Sequence, residues 1–450
     1  MEEFTFRDLN LNKPLLNALD DLGYTIPTTL QGKAFSVVMS GKDMIGIAQT
    51  GTGKTLAYLL PTLRQWNFSK DRLPQILIIV PTRELALQIE QVFKQMGTAF
   101  KINCCYGGHP MRIEKNNLSH PPAVLVGTPG RIADHLRKEN IELRDAETVV
   151  LDEFDKSLEA GFYDEMEYIF YHLSGLKKKI LTSATALKQI PPFVPIKNLH
   201  VLDFTGNRKP VEDTLELRMV RVQGDDKLEG LMLLLGKLSG KSVIVFCNHR
   251  EAVNRISEQL AKHKIPHGFY HGGLEQIDRE KTLIKLRNGS TPILITTDLA
   301  ARGLDIPEIE VVIHYQLPQT LDVMVHRNGR TARMNAGGMA YFLLDVDDFM
   351  PEFVHEKPLE DSLPAVFRIP EAPKWRTVYF SAGKKDKINK MDIVGMLLQK
   401  GQLKKEELGK IEVLDFSAYA AVQADKIEKT VSLVRDEKIK GKKVKIAIAN

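Results

Sequence analysis

The chain has 450 residues, 43% of them hydrophobic and 26% charged, an ordinary globular composition that excludes a disordered, collagenous or mini-protein chain. The formal charge is +5, but residues 371–450 hold 18 basic and 11 acidic side chains, while residues 1–370 hold 44 and 46. A basic appendage on a near-neutral body points to a polyanion partner, the alternative being a solvated lysine-rich surface. The apolar runs, such as Ile76–Val80 and Met339–Leu344, are far shorter than a membrane span. Cys104, Cys105 and Cys247 form neither a disulfide framework nor a zinc motif. With an acidic N-terminus that lacks a signal pattern, this predicts a cytoplasmic setting.

In chain order, residues 30–350 repeat one unit: a short β-rich run, a turn with Gly, Thr or Pro, and a stretch of helical period. The first block carries Met44–Ile47, QILIIVPTREL, AVLVGTPGRI, TVVLDEFD and KKILTSAT, and ends near Phe204. Strands that are apolar throughout are buried on both faces, hence parallel with helices between them. Thr205–Thr214 reads as a linker or an edge approach. A second series runs from Leu215 to about Asp347 through SVIVFCNHRE, PILITTDLAARG and EVVIHYQLP. The proline-rich stretch Met350–Pro373 reads as a boundary. The remainder reads strand, helix, strand, strand, helix, strand, a ferredoxin-like order. The expected fold is α/β: two tandem parallel-sheet domains, residues 1–205 and 206–365, then a small α+β module, 373–450.

The strongest local signal is AQTGTGKT, Ala48–Thr55. A glycine-rich turn before a helix lets backbone N–H groups cradle phosphates. Thr50, Gly51, Thr52 and Gly53 would form that cradle, Lys54 would reach the β and γ phosphates, and Thr55 would ligate Mg²⁺. The alternative is a plain glycine-rich turn. About 100 residues on, Asp152 and Glu153 follow a buried strand, where a Mg²⁺ carboxylate and a water-activating carboxylate are needed. The alternative, ordinary loop acids or a helix N-cap, weakens with the shared α/β block. HRNGRTAR, His326–Arg333, places three arginines at three-residue spacing in the second block. Phosphoryl transfer needs such cations on its transition-state charge, and the alternative is a surface salt-bridge helix.

Together these residues resemble the DEAD-box RNA helicases of superfamily 2 over about residues 4–350, with the motifs in family order. Phe6 and GYTIPTTLQ, Gly23–Gln31, look like the adenine-reading motif; AQTGTGKT and DEFD follow as the nucleotide motifs. PTRELALQ, Gly107–Gly108 and TPGR look like RNA-backbone motifs, SAT like the coupling motif, and IVFCN, HGGLEQIDR, TTDLAARGLDIP and HRNGRTAR like those of the second domain. The resemblance implies that both parallel-sheet domains are RecA-like. It implies that Phe6 stacks on the base, Gln31 reads its edge, and Asp305 approaches the ribose or the catalytic water. Arginine fingers are implied at Arg330 and Arg333, with His326 in their network, and coupling through Ser183 and Thr185. Arg83, Gly108, Thr128, Arg131, Arg279 and Thr297 would meet RNA phosphates and sugars. ATP and Mg²⁺ are the implied cofactors, with Mg²⁺ on Thr55 and Asp152 partly through water. The sequence departs from the family at Phe154 (usually Ala), Thr29 (usually Pro), Asn328 (usually apolar) and Ala332 (usually Gly).

The last 75 or so residues resemble the C-terminal RNA-binding domain of DbpA-type bacterial helicases, an RRM variant. Tyr379 and Tyr419 occupy stacking positions of the sheet, with packing as the alternative, and Lys384, Lys385 and Lys387 supply loop charge. The resemblance implies a monomeric ATP-dependent RNA helicase directed to a large-subunit ribosomal RNA hairpin and pre-ribosomal particles during ribosome assembly. Two other classes stay open at this point: a non-catalytic RNA clamp and a DNA helicase. An ATPase assay with RNA or DNA separates the three.

Overall fold

The computed structural model describes residues 4–48, 52–66, 74–185, 189–204, 215–222, 227–301, 304, 306–331, 337–355 and 357–449. Thr50, Gly51, Asp305, Ala332, Arg333 and the Thr205–Thr214 linker lie outside the described residues. Among the described residues no helix is long and apolar enough to cross a membrane.

The first domain is built on a seven-stranded sheet in which every pairing is parallel. In spatial order its strands are Ile102–Cys105, Val124–Gly127, Ile76–Ile79, Thr148–Leu151, Lys178–Ser183, Asp43–Ile47 and Leu199–Asp203. The central strands are apolar at nearly every position because helices cover both faces. Two core clusters result, one containing Leu30, Ala57 and Ile78, the other Leu77, Ile132 and Phe154.

The second domain repeats the scheme: Gly268–Tyr270, Ile293–Thr297, Val243–Cys247, Val311–His314, Gly338–Leu344, Leu215–Arg221 and Leu359–Glu360, again all parallel. Numbered within each domain, both sheets have the order 3-4-2-5-6-1-7. The stretch read from sequence as a boundary supplies the seventh strand. Asp361 pins it, receiving hydrogen bonds from Arg218 (3.2 Å), Lys237 (2.5 Å) and Tyr341 (3.0 Å).

The C-terminal module has an antiparallel sheet in the order Leu408–Val413, Ala418–Gln423, Trp375–Phe380, Ile446–Ile448. Helices Lys390–Gln399 and Ile427–Val434 cover one face, so the expected α+β order holds. The module and the second RecA-like domain belong to one compact unit.

Candidate functional site

The phosphate loop leads into the helix Lys54–Gln65, whose N-cap is Gly53 at φ +81°. A Cβ at Gly53 would lie 2.3 Å from Gln31 Nε2, so only glycine lets the glutamine approach. Gln31 Nε2 donates to the Gly53 carbonyl at 3.2 Å, and the Thr28 hydroxyl donates to the Thr52 carbonyl at 3.2 Å. Gln31 Oε1 accepts from Thr28 N–H, closing a capping box at the start of the helix Thr29–Met39. Lys54 is buried and its ammonium donates to the Ala48 carbonyl at 2.9 Å.

Asp152 follows the strand Thr148–Leu151 and is 3% exposed. Tyr58 donates to its Oδ2 at 3.0 Å and the Thr182 hydroxyl to its Oδ1. Burial, then the Asp152 charge, pushes the Tyr58 phenol well above its ordinary range, so Tyr58 remains a donor. Glu153 adopts a left-handed backbone, φ 50° and ψ 49°, a conformation of about 1–3 kcal/mol strain that clusters at functional sites. Asp155 accepts from the Thr185 hydroxyl at 3.0 Å, and Ser183 Oγ bonds the Thr185 backbone. The acid motif and the Ser183–Thr185 turn are therefore directly linked. Phe154 begins the helix Phe154–Glu159 and is fully buried in the core under the sheet. The larger side chain fills the interior rather than the site.

On the same domain, Arg83 donates to the Gly107 carbonyl at 3.2 Å, and a Cβ at Gly108 (φ +92°) would lie 2.4 Å from its guanidinium. Arg131 donates to the His109 carbonyl (2.9 Å) and to Glu114 (3.2 Å). Glu114 is 2% exposed and also accepts from Tyr106 N–H (2.8 Å), with His135 Nε2 at 2.7 Å and His109 Nε2 at 3.0 Å. One carboxylate thus ties the Gly107–Gly108 turn to the helix Pro129–Arg137, whose N-cap is Thr128. Cys105, Glu114 and His135 have the composition of a metal-ligand trio, but Glu114 is committed to four neighbours and burial pushes the Cys105 thiol up. The carboxylate and the imidazole serve a hydrogen-bonded core cluster.

In the second domain, Arg327 is fully buried. It pairs with Asp298 (2.5 and 3.2 Å), donates to Asn248 Oδ1 and the Gln316 carbonyl (2.7 Å each) and lies over the Phe246 ring. Arg330, also fully buried, donates to the Ala301 carbonyl through Nε (3.0 Å) and Nη2 (2.6 Å). Asn328 Oδ1 meets His314 Nε2 at 2.9 Å, and the His314 ring stacks on Phe342. Asn328 is therefore polar for a local reason: it partners Nε2 of a buried imidazole. His326 is buried on the same helix, Leu321–Asn328. The segment Gln276–Arg287 is helical, with Arg279 9% exposed near its start, and Thr297 closes the strand Ile293–Thr297.

Three family models match the chain in tandem: DEAD/DEAH box helicase at residues 28–191, helicase conserved C-terminal domain at 226–335, and DbpA RNA binding domain at 377–448. The ATP-dependent RNA helicase DbpA of Escherichia coli (strain K12) is 32% identical across 98% of this chain and 99% of its own. The chain belongs to the DEAD-box ATP-dependent RNA helicases of DbpA type. DbpA of Bacillus subtilis (strain 168) is 29% identical over 99% of both chains. Among solved structures, S. cerevisiae Dbp5 bound to RNA and ADP BeF3 superimposes with a TM-score of 0.70 at 26% identity, covering 80% of this chain and 95% of that one.

As a DEAD-box helicase the chain uses ATP and binds RNA. Gln31 reaches the Gly53 carbonyl, Thr55 lies in the first turn of the phosphate-loop helix, and the Tyr58 phenol ties that helix to Asp152. Phe6, expected to stack on a base, is 4% exposed and belongs to the core cluster that includes Leu30. Tyr379 is half-buried. Tyr419, expected on an open stacking surface, is 3% exposed, which corrects that expectation: its sheet face is covered. Lys384, Lys385 and Lys387 are exposed. Sequence reasoning missed Tyr58, Thr182, Glu114, Asp298 and Arg327. Two carried a signal: Arg327 as the first arginine of HRNGRTAR, and Asp298 within TTDLAARGLDIP.

Proposed function

We propose that the protein couples ATP hydrolysis to local separation of RNA duplexes and is directed to large-subunit ribosomal RNA in the cytoplasm during ribosome assembly. The arrangement around Asp152 supports the chemistry: a buried carboxylate held by two neutral hydroxyls, next to a glutamate in a strained backbone, with the phosphate-loop lysine buried on the Ala48 carbonyl. The Thr55 hydroxyl and the Asp152 carboxylate are hard oxygen donors that fit Mg²⁺, partly through water. Bound there, Mg²⁺ neutralises phosphate charge. Glu153 orients and deprotonates the attacking water. Gln31 reads the base edge, and Thr50, Gly51, Thr52, Gly53 and Lys54 hold the phosphates. Arg330 and Arg333, with His326 beside them and Asp305 near the ribose or the catalytic water, stabilise the transition state when the two RecA-like domains close on ATP and RNA. Arg83, Gly108, Thr128, Arg131, Arg279 and Thr297 hold RNA by its backbone, and Ser183 and Thr185 pass the state of the acid motif to that grip.

The match of residues 377–448 to the DbpA RNA binding domain supports the choice of target, because backbone contacts in the core carry little sequence information. The test is steady-state ATPase activity with fragments of large-subunit ribosomal RNA against random RNA of equal length. Selective stimulation by one fragment is expected. Equal stimulation by all RNAs removes the ribosomal target, and absence of turnover with any RNA removes the helicase chemistry.

A further inference from the structure

Two imidazoles share the Glu114 carboxylate, and they differ in one respect. His135 is fully buried with both ring nitrogens engaged, Nε2 with Glu114 (2.7 Å) and Nδ1 with Asn140 (3.2 Å). His109 meets Glu114 through Nε2 at 3.0 Å, and its side chain is 23% exposed. Its Nδ1 has no hydrogen bond among the described residues. A carboxylate only accepts, so Nε2 of His109 carries the hydrogen and Nδ1 keeps the lone pair. His109 directly follows Gly108, in a turn braced by two guanidiniums. Arg83 donates to the Gly107 carbonyl (3.2 Å) and Arg131 to the His109 carbonyl (2.9 Å). The ring meets Tyr106 edge-on, with centroids 4.7 Å apart. Arg83 is itself paired with Glu84 at 3.4 Å. Burial holds the His109 pKa below its ordinary value, with Glu114 opposing the fall and Arg131 and Arg83 adding to it. The ring is therefore neutral at about pH 7 when no RNA is bound.

We propose that His109 is a further RNA-contacting residue of the first domain: its Nδ1 takes a proton from solvent and donates it in a hydrogen bond to a backbone phosphate, while Nε2–H stays on Glu114. This rests on the reading of Arg83, Gly108 and Arg131 as a grip on the RNA backbone. No covalent bond of the RNA changes, and the proton returns to solvent on release. Glu114 divides its charge among four neighbours. A phosphate brings the second negative charge that makes an imidazolium favourable at this position. The resulting charge-assisted bond is stronger than one to a neutral donor. Glu114 holds the ring so that the spare nitrogen is the one that titrates. Arg83 and Arg131 are charged at every working pH, whereas the charge on His109 follows pH and RNA together. The bound-state pKa lies above the free one, so RNA affinity is full below the free value and is lost as pH rises through the bound value. Residues 373–450 contain no histidine, so the C-terminal module adds no imidazole to this dependence.

The test measures affinity of the full chain for poly(U), whose bases do not titrate in this range, without nucleotide and between about pH 6 and about pH 8. Each variant is first shown to be folded by circular dichroism. Wild type should bind about tenfold more tightly at the lower pH, with uptake of up to about one proton, read by calorimetry in buffers of different ionisation enthalpy. Its salt slope should be steeper at the lower pH by about 0.7, the share of one phosphate contact on a single strand. His109→Gln should bind at both pH values as wild type does at the higher one, with proton uptake lost. His109→Lys, a permanent cation, should keep tight binding at both. Arg83→Ala should weaken binding throughout the range. If Arg83→Ala weakens binding but His109→Gln keeps the wild-type pH dependence and proton uptake, His109 is overturned and the grip stands. If His109→Gln weakens binding equally at both pH values with proton uptake intact, His109 only supports the turn and the inference is overturned. Unchanged binding in Arg83→Ala removes the grip and the inference with it.

Discussion

The two RecA-like domains share one strand order and treat their charged residues in opposite ways. In the first, Asp152 is held by the hydroxyls of Tyr58 and Thr182, neutral donors that fix its position. In the second, Arg327 is neutralised by Asp298 and further held by Asn248 and Gln316. Its neighbour Arg330 is held by the Ala301 carbonyl through two nitrogens. A repeated scaffold therefore assigns reaction and support to different residues. One sheet holds a carboxylate by neutral donors. The other commits one arginine to architecture beside a second that we propose for chemistry.

The sharpest way to break this contrast is to remove the chemistry from each side. Arg330→Ala should lower kcat by about 10³-fold or more, the usual worth of an arginine finger, measured at a temperature where circular dichroism shows the variant folded. Glu153→Gln should lower kcat by about 10²–10⁴-fold while ATP and RNA still bind. Retention of half the wild-type kcat in either variant removes that residue from the mechanism.

Arg327→Ala should act on architecture. Asp298 is about a third exposed, so the cost is that of the lost charge-assisted hydrogen bonds, about 1.5–3 kcal/mol, read by denaturant unfolding. If stability holds while kcat falls, Arg327 is chemical and the contrast fails. Phe154→Ala offers the matching test in the first domain. A buried Phe→Ala change costs about 3–5 kcal/mol, yet ATP hydrolysis well below the unfolding temperature should stay within a few-fold of wild type. A collapse of hydrolysis in the folded variant would put Phe154 in the coupling path.

The smallest effect concerns His314. Burial first, then Arg327, lowers its pKa to about 3. Below about pH 6.5 the unfolded chain takes up a proton that the folded chain refuses, so stability is lost as pH falls from about 6.5 toward 3. At about pH 5 the loss is about 2 kcal/mol. His314→Gln should remove that share of the difference in unfolding free energy between about pH 7.5 and about pH 5. An unchanged difference assigns the acid sensitivity to other groups.

The phosphate loop, the acid motif and the arginine cluster were legible because each is a contiguous run whose spacing is itself the chemistry. Their supports were not legible. Tyr58 lies 94 residues from Asp152 and Thr182 lies 30, and a tyrosine in an apolar helix reads as core. Glu114 reads as one more surface acid until four partners converge on it. The seventh strand of the second domain is two residues long, too short for periodicity to register among prolines. Tyr419 falls on the strand that the sequence pattern indicates, but alternation gives a face and not what covers it.

The contact between Gln31 and the Gly53 carbonyl has a consequence for nucleotide choice. The side chain proposed to inspect the base grips the loop proposed to hold the phosphates. A base that pulls the amide away would also loosen the loop's last turn before the helix. Discrimination among nucleotides would then show itself as slower turnover as well as weaker binding, with the two ends of the ligand judged by one lever.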